Sequence, residues 1–215
     1  QVKSLFGAGT AGDVSVQSLE TPADAKIILG GTLSTLGVFN FSAANDSMTV
    51  KKMQILISPL NDPNTPTPGT KDEIRVIYLY ENETLIGSPA GYKITPTGDD
   101  VGIVFISNLN WILPKNTSKS LKVKGDVYPV GQQYSDTGAS VYSHIMSSGF
   151  EACSTTGSSR CDTVIQPASS AQRIVYKSEP VLSLVTPQPN SGDGSLVAGT
   201  PIKSLRFRIT AVPTG

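Results

Sequence analysis

Two cysteines and one histidine hold most of the reactive chemistry that this sequence could offer. Cys153 and Cys161 flank Ser154 to Arg160, a run of small, polar, turn-forming residues. A bridge between them would close a short loop and contribute roughly 2–3 kcal/mol by restricting the unfolded chain. Such bridges persist where the surroundings oxidise. Zinc wants four ligands, and two cysteines with His144 make three at unhelpful spacing. A nucleophilic cysteine needs a base, and His144 is the sole histidine. The spacing therefore predicts a Cys153–Cys161 disulfide, no metal, and His144 as a surface or half-buried strand residue. No Gly-x-Ser-x-Gly elbow is present, nor a phosphate loop or dinucleotide fingerprint. The neighbours Asp72-Glu73 and Asp99-Asp100 would point to opposite faces of an extended chain, as pairs in exposed turns do. Asp62, Asp72 and Asp99-Asp100 leave calcium open, since loop oxygens suit that ion, but the spacing of a defined calcium loop is missing. The expectation is an absence of catalytic residues, of cofactor and of enzymatic activity.

Four Asn-x-Ser/Thr triplets begin at Asn40, Asn45, Asn82 and Asn116. Asn82 and Asn116 fall in turns and are the candidate glycan acceptors, whereas Asn40 lies in a strand. Trp111 and seven tyrosines supply planar aromatics that a glycan-binding face would need, Tyr92, Tyr134 and Tyr142 above all.

At 215 residues the chain can build one large or two small domains with ample core. Its formal net charge is zero, its pI is near 6.8, and only 16% of its residues are charged. A nucleic-acid or anionic-membrane surface calls for a basic excess, so neither partner is expected. The longest apolar runs, such as Ile103 to Ile106, are too short to span a bilayer. Gln1 opens directly on polar sequence, which suits a processed N-terminus. Abundant Gly, Pro, Ser and Thr with modest Lys and Glu are the profile of an extracellular all-β protein.

The elements follow from alternation. Residues 1–12 carry Val2, Leu5 and Phe6 before a glycine-rich stretch, a frayed leader or the apolar arm that a strand donor would carry. Strands are expected over 13–19, 25–29 and 37–43, the last with Phe39 and Phe41 on one face. Over 50–57, Met53, Ile55 and Ile57 share a face, and Leu56 opposite them suggests cover on both sides. The proline-rich 61–71 is a loop. Residues 74–80 and 84–86 form a hairpin about Glu81-Asn82-Glu83, and 101–106, 111–113 and 121–127 are further strands. In the last of these Leu121, Val123, Gly125 and Val127 face inward. Beyond Gly131 a strand at 141–146, a loop at 151–162 between the cysteines and a strand at 173–176 follow. Strands at this spacing, with no helical window before Pro129, predict an all-β antiparallel sandwich.

The chain also repeats itself. Val16, Ser18, Leu19, Thr21, Pro22, Leu29, Gly31, Thr32, Phe39, Phe41 and Ala43 recur as Val181, Ser183, Leu184, Thr186, Pro187, Val197, Gly199, Thr200, Phe207, Ile209 and Ala211, with an insertion around Pro189 to Gly194. Self-similarity at this scale marks repeated modules. The second copy reaches only the opening hairpin, which is marginal alone in water. It packs either on its own first module or against another chain. The organisation expected is an arm over 1–12, a sandwich over 13–178 with its disulfide loop, and a partial second module or strand-donating hairpin over 179–215.

Two runs carry a resemblance. Val104-Phe105-Ile106-Ser107-Asn108-Leu109-Asn110-Trp111-Ile112-Leu113-Pro114 with Lys119 to Val127, and Val76 to Tyr80 leading into Leu85-Ile86-Gly87-Ser88, resemble immunoglobulin-like β-sandwich modules of prokaryotic secreted and cell-surface proteins. Residues 171–180 look like the junction where one such module hands over to the next. The resemblance implies an immunoglobulin-like fold, a cell-surface location and a filament or surface-layer role, and assigns no site. Together these readings give a structural subunit of an extracellular filament, joined head to tail to copies of itself by strand exchange. Leu205, Phe207 and Ile209 are the expected assembly strand, with the arm as the other candidate donor. The alternative is a carbohydrate-binding or adhesin module whose partner is a surface glycan.

Overall fold

The computed structural model describes residues 12–20, 25–61, 73–96, 102–132, 135–155, 161–184 and 207–213. Every regular element among them is a β-strand. In chain order these are β1 (Asp13–Ser18), β2 (Lys26–Leu29), β3 (Leu33–Ala44), β4 (Met48–Ser58), β5 (Ile74–Glu81), β6 (Thr84–Ile86), β7 (Tyr92–Lys93), β8 (Thr95–Pro96) and β9 (Gly102–Ile106). There follow β10 (Trp111–Leu113), β11 (Thr117–Val127), β12 (Ser140–Ile145), β13 (Glu151–Ser154), β14 (Cys161–Asp162), β15 (Ala168–Ser169), β16 (Arg173–Tyr176), β17 (Ser178–Leu184) and β18 (Phe207–Pro213).

Two sheets face each other. The first runs β1-β3-β11-β5-β6, with β7 also on β5. The second is built on β4, which pairs with β9 and β10 along one side and with β12 and β13 along the other, and continues through β16 to β2. Alternation fills the space between them: Phe39, Phe41, Leu121, Val123, Ile77 and Leu79 from one sheet meet Val50, Ile55, Ile57, Val104, Val141 and Ile145 from the other, all buried. Trp111 packs edge-on against Phe41, ring centroids 5.2 Å apart, at the centre of this core. The fold is an immunoglobulin-like β-sandwich.

Two features depart from plain antiparallel alternation. After β1 the chain crosses from the first sheet to the second, where β2 runs parallel to β16. Opposite Val123 and Lys124, β3 carries an extra residue, Leu36, fully buried. Beside it Gly37 lets the sheets approach closely: a Cβ there would lie 2.5 Å from Ser143 Oγ and 2.8 Å from Ser170 Cβ. The segment between the cysteines is not a loop throughout, since β13 and β14 pair with Cys153 opposite Cys161.

The last two strands make a ladder of their own. β17 and β18 form a two-stranded antiparallel sheet, Leu182 opposite Ile209 and Leu184 opposite Phe207. Among the described residues no strand of the sandwich joins it. The repeated segments thus make the same kind of pair twice, because β1 and β3 are also antiparallel neighbours. Their registers differ. Val16 lies opposite Phe41, but Val181 lies opposite Thr210, one place beyond the corresponding Ile209. A slip of one residue exchanges faces, which puts Val181 on one side of the hairpin and the pair Leu182–Ile209 on the other. Leu205 and the arm residues Val2, Leu5 and Phe6 lie outside the described residues.

Candidate functional site

The residues with chemical potential do not converge. Cys153 and Cys161 are bonded, S–S 2.01 Å, across the β13–β14 ladder. Glu151 brings a carboxylate beside them, the three side chains forming a cluster of metal-ligating types. Both sulfurs are spent in the bond, so they offer no thiolate. Around this hairpin Asp46 accepts from Ser154 Oγ, and Asp162 accepts from the Val14 amide at 3.0 Å. The first ties β13 to the turn between β3 and β4, and the second ties β14 to β1. Asp62, Asp72, Asp99 and Asp100, the calcium candidates, lie outside the described residues.

His144 is fully buried, which corrects its placement as a surface or half-buried residue. It lies on the outer side of β12, where Leu60 covers the sheet. A carbonyl can only accept, so Nε2–H donates to Leu60 O at 3.1 Å, and Nδ1 shares a hydrogen bond with the Ser169 hydroxyl at 2.8 Å. The imidazole is thereby a strut between the end of β4 and β15.

The aromatic candidates are similarly occupied. Trp111 is buried, and its indole N–H donates to Glu81 Oε2 at 2.8 Å. The Tyr92 hydroxyl accepts from the Ser88 amide at 3.0 Å. Tyr142 stacks on His144 at 6.3 Å. Tyr134 lies outside the described residues. On the outer face of the first sheet, which sequence reasoning did not single out, Tyr80 has the Lys124 ammonium 4.4 Å over its ring. Glu83 turns back to pair with Lys122 and Lys124 there, and Lys122 holds its carboxyl below the usual range. For Glu81, partial burial pushes the carboxyl up, but hydrogen bonds from Lys119 and Trp111 outweigh this and leave it below the usual range.

One polar cluster escaped the sequence entirely. Arg173 on β16 is 1% exposed, and its guanidinium grips both oxygens of Glu20 at 2.5 and 2.7 Å while Nε donates to Thr35 O at 2.8 Å. Glu20 also takes Lys26 Nζ at 3.2 Å. These residues wall a cleft of about 390 Å³ where the chain crosses between sheets, with Ile28, Val38 and Lys122. Charge-assisted bonds satisfy the buried pair within the chain, so the cluster acts as a clasp across the crossover.

The hairpin β17–β18 is the most unusual surface. Leu182 and Ile209, directly opposite each other, are 68% and 65% exposed, and Val181 is 47% exposed. Their counterparts in the first copy are covered: Phe41, which corresponds to Ile209, is fully buried, and Val16, which corresponds to Val181, is 5% exposed. Among the described residues, β1 and β2 stand at the ends of the two sandwich sheets with no further strand beyond them.

The candidate glycan acceptors differ in their surroundings. All five non-glycine residues with positive φ among the described residues are asparagines, Asn82 and Asn116 included. Asn82 is exposed at the β5–β6 turn; Asn116 is exposed too, but its Oδ1 accepts from the Asn45 amide at 3.3 Å. Among the described residues no helix is long and apolar enough to cross a membrane.

No protein-family model matches the chain, and no curated protein sequence matches it. Among solved structures, the chain is similar to a cohesin of Acetivibrio cellulolyticus scaffoldin B, with 8% identity over 77% of this chain and 98% of the cohesin, at a TM-score of 0.37. A cohesin module of a Clostridium perfringens family 33 glycoside hydrolase is similar at 10% identity, 77% and 97% coverage and TM-score 0.36. The major pilin subunit of Bacillus cereus is similar at 9% identity, over 95% of this chain and 57% of the pilin, with TM-score 0.25. At such identities and TM-scores, neither activity nor partner carries over to this chain.

Proposed function

We propose that this chain is a non-enzymatic structural module of an extracellular surface assembly, and that its β17–β18 hairpin joins it to another copy of the chain. The supporting observation is the contrast between the two repeats. The same residue pattern is buried beneath a facing sheet in one copy and bare in the other, Ile209 at 65% exposure against Phe41 at none. Two strands alone bury too little apolar surface to be stable in water, and a large side chain gains about 1.5–3 kcal/mol on full burial. A second sandwich supplies both an apolar cover and an unpaired sheet edge, and strand addition satisfies the hairpin's own edges with main-chain hydrogen bonds. Donor and acceptor surfaces differ, so the contact is heterologous and propagates head to tail. The Cys153–Cys161 bond suits an oxidising location outside the cytoplasm.

The test is light scattering with negative-stain imaging of the full chain at rising concentration, beside a Leu182→Asp, Ile209→Asp double variant. The expected result is chains of regular repeat for the parent and single particles for the variant. Parent protein that stays monomeric throughout contradicts the proposal.

A further inference from the structure

The four Asn-x-Ser/Thr triplets are not equivalent once folded, and we propose that Asn82 alone is an N-glycan attachment site of the native protein. Asn82 and Glu83 form the tip between β5 and β6, where Glu81 pairs with Thr84. Asn82 has φ 55°, a conformation that asparagine tolerates, and both it and Thr84 are exposed. Between them Glu83 is drawn back onto the sheet by Lys122 and Lys124. The tip is thus held while the Asn82 amide and the Thr84 hydroxyl project from it. Neither group has a side-chain hydrogen bond among the described residues.

Each remaining triplet is spent on the fold. Asn40 sits inside β3 between β1 and β11, and its amide donates to its own triplet's Ser42 hydroxyl at 3.5 Å. The Asn45 triplet ends in Ser47, whose hydroxyl accepts from the Lys115 amide at 2.9 Å. In the Asn116 triplet the asparagine accepts from the Asn45 amide, and Ser118 Oγ lies 2.6 Å from Ser42 Oγ.

The donor would be an oligosaccharide carried on a polyprenyl pyrophosphate. The Asn82 nitrogen forms a bond to the anomeric carbon, the bond from that carbon to pyrophosphate oxygen breaks, the lipid pyrophosphate leaves, and the amide gives up one proton. A glycan here would stand at the end of the sandwich edge formed by β6, a polar shield on a short strand that has no outer partner among the described residues. The proposal requires export and not self-assembly.

Peptide mapping by mass spectrometry of the full-length protein, isolated from the cells that make it, tests this directly. Asn82→Gln and Thr84→Val variants are produced in the same cells; the second keeps the asparagine and its backbone and removes only the hydroxyl. The expected result is a sugar mass on the Asn82 peptide, its loss in both variants, and unmodified Asn40, Asn45 and Asn116 peptides. A sugar on any of those three, retention in Thr84→Val, or four unmodified triplets overturns the proposal.

Discussion

Arg173 and Glu20 show what a single buried pair does in this fold. One guanidinium nitrogen, Nη2, donates to both oxygens of a carboxylate that sits just after β1, so it fixes the point at which the chain leaves one sheet for the other. Taking away Glu20 strands the buried Arg173 cation, at a typical cost of about 3–5 kcal/mol, whereas without Arg173 the carboxylate keeps Lys26. Glu20→Ala should lower the unfolding free energy read from urea titration by that order, and Arg173→Ala and Glu20→Gln by less. A loss within error for Glu20→Ala would show the clasp to be idle. Neither residue was legible as part of a site, because they stand 153 positions apart and no local pattern links them. His144 failed for a related reason. Alternation identified its strand but not the Leu60 carbonyl and the Ser169 hydroxyl that hold its ring.

A second residue-level prediction concerns acid. Glu81 and Glu83 are both held below the ordinary carboxylate range in the folded protein. Their contribution to stability is present above the unfolded value of 4.5 and is lost as pH falls through the depressed folded values. Thermal unfolding from pH 6 down to about pH 3 should therefore show a falling limb below about pH 4.5. The limb should be shallower in Glu81→Gln. An unchanged slope in that variant would remove Glu81 from the account.

Among the elements, alternation was legible wherever one face of a strand is buried and the other wet. The run Leu121 to Val127 and the hairpin about Asn82 stand where the sequence places them. What alternation does not carry is partner choice. The parallel pairing of β2 with β16 and the extra residue at Leu36 depend on contacts far along the chain. Gly37 was legible only as a strand start, though it sits where the sheets come closest. Gly37→Ala would drive a methyl into Ser143 and Ser170 and should cost about 1–3 kcal/mol by overpacking. Gly138→Ala is the contrast at an open turn: a Cβ there meets nothing, and any loss comes from its positive φ alone. The disulfide was legible from spacing and turn composition, but its strands were not. Cys153→Ser with Cys161→Ser should cost roughly 2–3 kcal/mol, read by chemical denaturation, and leave the fold intact because β13 still pairs with β4.

For the whole molecule, the repeat was the most informative signal in the sequence and the structure gives it physical content. The first copy buries its aromatic residues between sheets; the second presents aliphatic side chains on both faces of a two-stranded ladder. The sequence showed the pattern twice, but the one-residue difference in register, and with it the opposition of Leu182 and Ile209, is a property of pairing that no local motif encodes. Which edge would accept the hairpin under the proposed joining was equally beyond reading, since the places of β1 and β2 at the ends of their sheets depend on the crossover between them.

Backbone hydrogen exchange of residues 178–184 and 207–213, followed as protein concentration is raised, tests the joining of copies most directly. Burial of the hairpin against another molecule predicts amide protection in these two strands that grows with concentration, while the amides of β3 and β11 stay equally protected throughout. Exchange in the hairpin that is the same at every concentration, whether fast or slow, would contradict the account.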